Sequence, residues 1–79
     1  MKLHVLYFAA LRDAAGRDRE EIEVAAGDAR EVYAQLRRRH GLPLVHERIR
    51  IAVNGEFAPW DQRLSDGDEV AFLPPVSGG

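Results

Sequence analysis

Asp28-Ala29-Arg30-Glu31-Val32-Tyr33-Ala34-Gln35-Leu36-Arg37-Arg38-Arg39-His40-Gly41-Leu42-Pro43 marks both of its own ends. Asp28 stands three residues before Glu31, the spacing at which two side chains satisfy each other's backbone N–H groups at a helix start. Val32, Tyr33 and Leu36 then recur at helical spacing. Arg37 to Arg39 complement the negative end of the helix dipole, and the ordinary reading of such a run is a solvated helix end. Gly41 suits a left-handed cap and Pro43 lies just beyond it. The pattern predicts one helix over about Ala29 to His40.

The flanks of this helix read as strands. Leu3, Val5 and Tyr7 alternate with His4, Leu6 and Phe8, and both faces turn apolar toward the end. Ala9 to Asp18 reads as a loop or short helical turn anchored by Leu11, with Gly16 as a turn. Ile22 and Val24 point one way and Glu21 and Glu23 the other, as in a half-buried strand paired with the first. Beyond the helix, Ile49, Ile51 and Val53 alternate with Arg48, Arg50 and Ala52. Asn54-Gly55 is a tight-turn signal, and Glu56-Phe57-Ala58 reads as a short return limited by Pro59. Trp60 and Leu64 are expected to close one end of the core. Asp66-Gly67 marks another turn, and Glu69 to Leu73 is the last strand. The order strand, strand, helix, strand, short strand, strand predicts an α+β roll with a mixed sheet packed on one main helix. A domain is expected over 1–73 and an extended, flexible tail over 74–79.

Size limits where function can sit. The chain has 79 residues, of which 46% are hydrophobic. That is one domain, and a chain of this length buries only about 60% of the surface it exposes when unfolded. A deep internal site is hard to fit beside the core, so function is expected on the surface or at a terminus. There is no cysteine, which excludes disulfides, thiolate metal sites and a cysteine nucleophile. Net charge is −2 and no basic stripe stands out, which argues against nucleic acid as a partner. No apolar run approaches the roughly 20 residues of a spanning helix. The opening Met1-Lys2-Leu3-His4-Val5 does not read as a signal peptide. A cytoplasmic location and no membrane partner are expected.

Few side chains are arranged for chemistry. His4, His40 and His46 have neither metal-ligand spacing nor a suitable carboxylate partner in the sequence, and read as structural or surface residues. Ser65 and Ser77 lack a nucleophile pattern. Asp66, Asp68 and Glu69 lack the spacing of a calcium loop and read as turn and strand-start residues. The tail Pro74-Pro75-Val76-Ser77-Gly78-Gly79 is different. Two prolines stiffen its exit, and two glycines form an end narrow enough to enter a channel and present a bare carboxylate. Gly-Gly by itself fits a frayed terminus as well as a reactive one.

Leu64-Ser65-Asp66-Gly67-Asp68-Glu69-Val70-Ala71-Phe72-Leu73-Pro74-Pro75-Val76-Ser77-Gly78-Gly79 resembles the C-terminal signature of the small, sulfur-carrier subunit of molybdopterin synthase. Val5-Leu6-Tyr7-Phe8-Ala9-Ala10-Leu11-Arg12 is similar to that family's first strand, and Ala52-Val53-Asn54-Gly55 to its central turn. The resemblance spans essentially the whole chain and implies the ubiquitin-like β-grasp fold. It also implies a cycle in which no cofactor is held permanently. An E1-like enzyme uses ATP to adenylate the Gly79 carboxylate. A sulfur donor such as a cysteine desulfurase converts it to a thiocarboxylate. The tail then enters the large synthase subunit, with Gly78 passing through its channel, and gives sulfur to cyclic pyranopterin monophosphate. The catalytic residues would lie on that large subunit, within a heterotetramer. The resemblance places partner contacts at Phe8, Phe57 and Leu73, and in the tail at Pro74, Pro75 and Val76. Alternation agrees for the strands, with Val70 and Phe72 toward the helix and Leu6, Phe8 and Leu73 away from it. Two other classes share the expected fold: a sulfur carrier for thiamine or tRNA thiolation, and a ubiquitin-like protein modifier.

Overall fold

The computed structural model describes residues 1–75. Of the expected tail, Pro74 and Pro75 are described, while Val76, Ser77, Gly78 and Gly79 lie outside the described residues. The elements run β1 (Lys2–Tyr7), α1 (Ala9–Ala15), β2 (Arg19–Glu23), α2 (Ala29–His40), a 3₁₀ turn (His46–Arg48), β3 (Arg50–Val53), β4 (Glu56–Ala58) and β5 (Glu69–Leu73). They form one five-stranded sheet in the order β2-β1-β5-β3-β4. The central pair β1–β5 is parallel, and each is flanked by antiparallel neighbours. This mixed sheet, with one long helix crossing a single face, is the β-grasp arrangement.

Helix α2 occupies the predicted residues because both ends are chemically specified. Asp28 accepts from the Glu31 backbone N–H at 2.9 Å, and the Glu31 side chain accepts from Asp28 N–H at 3.4 Å. Gly41 ends the helix at φ 65°, a conformation that costs glycine little. Val32, Tyr33 and Leu36 are at most 2% exposed. Burying each contributes about 1.5–3 kcal/mol. They pack on the inner sheet face formed by Leu3, Val5, Tyr7, Ile51, Val70 and Phe72.

The segment after β1 is more regular than expected. Ala9–Ala15 is a helix of 7 residues, anchored by buried Leu11 and Ala15 and ended at Gly16. It follows that β1 and β2, although antiparallel neighbours, are joined by a helix and not by a tight hairpin. The Asn54-Gly55 turn forms with both residues at positive φ, 52° and 85°, as a type I′ turn requires. Asn54 also ties this turn to the start of β5: its amide donates to Asp68 at 2.9 Å and its carbonyl accepts from Glu69 N–H at 2.9 Å.

Phe72 centres the core at the end of β5. Its ring lies 5.1 Å from Tyr33, 6.1 Å from Trp60 and 6.4 Å from Tyr7, centroid to centroid. Trp60 donates its indole N–H to the Ile49 carbonyl, and Leu64 is buried beside it in the same cluster. The strand from which the tail departs is therefore held at its last inward residue.

Candidate functional site

Successive strand residues point to opposite faces, so burying Val70 and Phe72 turns Ala71 and Leu73 to the outer face of the sheet. The strand registers then align side chains across four strands. Leu6 pairs with Ala71, Ala71 with Ala52, and Ala52 with Phe57. Two alanines thus lie between two larger apolar residues, forming a shallow row. One step nearer the tail, Leu73 pairs with Arg50. Phe8 continues β1 in extended conformation, and the parallel register Tyr7–Phe72 brings it level with Leu73.

The flanks of this row are open to solvent, while Ala71 at its centre is buried. Phe8 is 43% exposed and Phe57 62%. Leu6, Leu73, Ala52 and Pro74 are half-buried, and Pro75 is exposed. Contiguous apolar surface left uncovered by a domain's own helices is the mark of an interaction site. The opposite end of the face is polar, with Lys2 and His4 both within 3.6 Å of the Glu21 carboxylate. The apolar end is thus the end from which the tail leaves.

Sequence reasoning missed Arg50. Its guanidinium carbon stacks 3.8 Å from the centroid of the Phe57 ring, an attractive contact for a cation over an aromatic face. It places one positive charge at the tail root, within an otherwise apolar surface. The alternation of Ile49 and Ile51 already turned Arg50 outward. The diagonal reach to Phe57 depends on the β3–β4 register.

The expectation that no histidine has a carboxylate partner does not hold: His4 and His46 lie beside the exposed Glu21 and Glu47, and the partner of His40 is buried. His40 Nε2 lies 2.7 Å from Glu20 Oε1, which also accepts from the Tyr7 hydroxyl at 2.7 Å. The other oxygen of Glu20 accepts from Arg17 at 3.3 Å. The partners come from β1, β2, α2 and the loop before β2, so the cluster exists only in the folded chain. Burial pushes the Glu20 carboxyl upward, but the hydrogen bonds from Tyr7 and His40 and the nearby positive charge hold it below its ordinary range. The Tyr7 phenol is pushed far up, by burial first and by Glu20 second. Tyr33 is pushed up to about 12 by burial. Both shifts keep the phenols neutral, as core donors, and neither makes a base. The cluster lies on the inner side of the sheet beside α2, since Glu20 pairs with inward-facing Val5.

Asp66 and Asp68 are turn residues. Asp66 accepts from Lys2 N–H at 2.6 Å and Asp68 from Ser65 N–H at 2.8 Å. Among the described residues no group of three metal-ligating side chains converges, and no helix is long and apolar enough to cross a membrane. Val76, Gly78 and Gly79, expected to carry partner contact, channel passage and chemistry, lie outside the described residues.

These features define a class: a small β-grasp domain whose central strand ends beside an uncovered apolar face. The chain belongs to the ThiS family, whose model matches residues 5–79. It is 44% identical over 82 residues to the molybdopterin synthase sulfur carrier subunit of Mycobacterium tuberculosis, covering 100% of this chain and 99% of that protein. Among solved structures, SAMP1 from Haloferax volcanii superposes with a TM-score of 0.84 at 26% identity, over 100% of both chains. A chain from the complex of subunits 1 and 2 of the molybdopterin-converting factor of Helicobacter pylori gives a TM-score of 0.69 at 29% identity, again over 100% of both.

Proposed function

We propose that this chain is the sulfur carrier subunit of a molybdopterin synthase. The observation that carries the reading is its 44% identity, from end to end, to a subunit of that name. The open apolar face at the root of the tail supports it, because a carrier must be held by the enzyme that uses its tail. In this reading the Gly79 carboxylate attacks ATP on an E1-like enzyme, forming an acyl adenylate and releasing pyrophosphate. The persulfide of a sulfur donor such as a cysteine desulfurase then displaces AMP to give an acyl disulfide, and a thiol reductant cleaves its S–S bond, leaving the thiocarboxylate and an oxidised disulfide. The tail delivers that sulfur to cyclic pyranopterin monophosphate inside the large subunit, which supplies the catalytic groups. Phe8, Phe57 and Leu73 dock on the large subunit in a heterotetramer, Pro74, Pro75 and Val76 line the tail's path, and Gly78 passes the channel. The cytoplasm is the compartment that supplies ATP to such a cycle.

The test is intact mass spectrometry after incubation with ATP, the activating enzyme, a sulfur donor and a thiol reductant. We expect a gain equal to one oxygen-for-sulfur exchange, confined to the C-terminal fragment and lost on deletion of Gly79. Full molybdopterin synthesis by a chain bearing an uncleaved C-terminal tag would overturn the reading.

A second reading, a protein modifier, is favoured by the fold likeness to small archaeal modifier protein 1 of Methanosarcina acetivorans, with a TM-score of 0.78 at 26% identity. A carrier for thiamine or tRNA thiolation would differ only in the acceptor of the sulfur. The same thiocarboxylate, offered separately to each acceptor, distinguishes these carriers.

A further inference from the structure

Helix α2 and the segment that follows it frame a groove of about 630 Å³. It lies on the helix side of the domain, across the sheet from the row Leu6-Ala71-Ala52-Phe57. Arg30, Ala34, Arg37 and Arg38 form one wall, at spacings of four, seven and eight residues that share a helix face. Buried Leu42 and exposed Val45 supply apolar surface across from them.

Helix stability accounts for only part of this wall. Arg37 and Arg38 lie in the last turn, where cations are favoured. Arg30 is the second residue of the helix, where the dipole disfavours a cation. Among the described residues, none of these three arginines lies within 4.0 Å of a carboxylate, although Arg12 and Arg17 do. Arg37 donates through Nε to the Leu42 carbonyl at 3.3 Å, which holds its guanidinium at the groove. The single acid on the lining, Glu47, is engaged by His46 at 3.3 Å.

We propose that this groove docks an acidic segment of a protein partner, with carboxylates on Arg30, Arg37 and Arg38 and an apolar side chain on Leu42 and Val45. Charge complementarity selects the acidic segment, and the bare Ala34 lets its backbone approach the helix. The apolar floor favours a peptide over a phosphate or a nucleic acid, neither of which would cover it. The groove and the outer sheet face are on opposite sides, so both can be occupied at once. The proposal is independent of the sulfur-carrier reading.

The test is an NMR titration of the isotope-labelled full chain with a synthetic peptide of repeated Glu-Glu-Leu, and with its Gln-Gln-Leu counterpart. We expect saturable shifts confined to residues 30–47 and leaving Leu6 and Ala71 unmoved. Affinity is expected to fall about tenfold with the Gln peptide, and equally in the double variant Arg30→Gln, Arg38→Gln. Both arginines are exposed, so the variant is expected to melt as the parent does. Absence of saturable binding, shifts centred on the outer face, or unchanged affinity in the double variant would overturn the proposal. So would equal binding of inorganic phosphate or a short oligonucleotide in the same groove.

Discussion

Glu20 is a carboxylate whose charge is fixed by its surroundings. Its side chain is 8% exposed, and three donors reach it from three other parts of the chain. A carboxyl held below its ordinary range stabilises the folded chain above its unfolded value of about 4.3, and that contribution is lost as pH falls through the lowered folded value. Tyr7→Phe removes one donor and raises the folded value toward the unfolded one. We expect that variant to lose about 1 kcal/mol at neutral pH, the net worth of one hydrogen bond. The loss is expected to shrink toward zero as pH drops below the carboxylate range. Chemical denaturation at several pH values checks this, and a loss that stays constant down to acid pH would deny Glu20 its role. None of this was legible in the sequence. Twenty residues separate Glu20 from His40, and only the crossing of α2 over β2 brings them together.

At the scale of elements, legibility followed local chemistry. Helix α2 was readable to the residue because a capping box opens it and a glycine closes it. Helix α1 was not, because Phe8 provides no side-chain cap and Ala9 enters at φ 50°. Alternation gave the faces of the five strands, hence the apolar character of the outer row. It did not give their order, and the parallel pairing of β1 with β5 joins segments from opposite ends of the chain. That pairing sets Phe8 beside Leu73 and makes an exposed face into a surface rooted at the tail. Phe8→Asp tests that surface. Phe8 is 43% exposed, so the folded chain tolerates the charge, with little change in melting temperature. Binding to a large synthase subunit, followed by calorimetry, is expected to weaken by at least the ~2 kcal/mol of a hot-spot residue. Undiminished binding would place the partner elsewhere.

For the whole molecule the question is which nucleophile takes up the activated terminus. A carrier and a modifier both begin from an adenylate on Gly79, so activation does not separate them. A modifier is taken up by a lysine amine, whereas a carrier is taken up by sulfur and must keep its thiocarboxylate from water until transfer. Seating the tail in a closed partner pocket gives that protection. The outer face suits such a lasting complex, because where the tail leaves it is apolar apart from the Arg50 guanidinium stacked on Phe57. Lys2 is the only lysine in the chain, and its Nζ lies 3.6 Å from the Glu21 carboxylate. Chains of this protein linked through lysine have one position at most. We expect no ladder of higher-mass conjugates when the protein carries an N-terminal tag in its own cells. We expect one major non-covalent partner, released by denaturant without bond cleavage and still bound when the chain is mutated at Lys2. A lysine-linked ladder that disappears on deletion of Gly79 would instead establish the modifier, and would assign the apolar face to a conjugating enzyme.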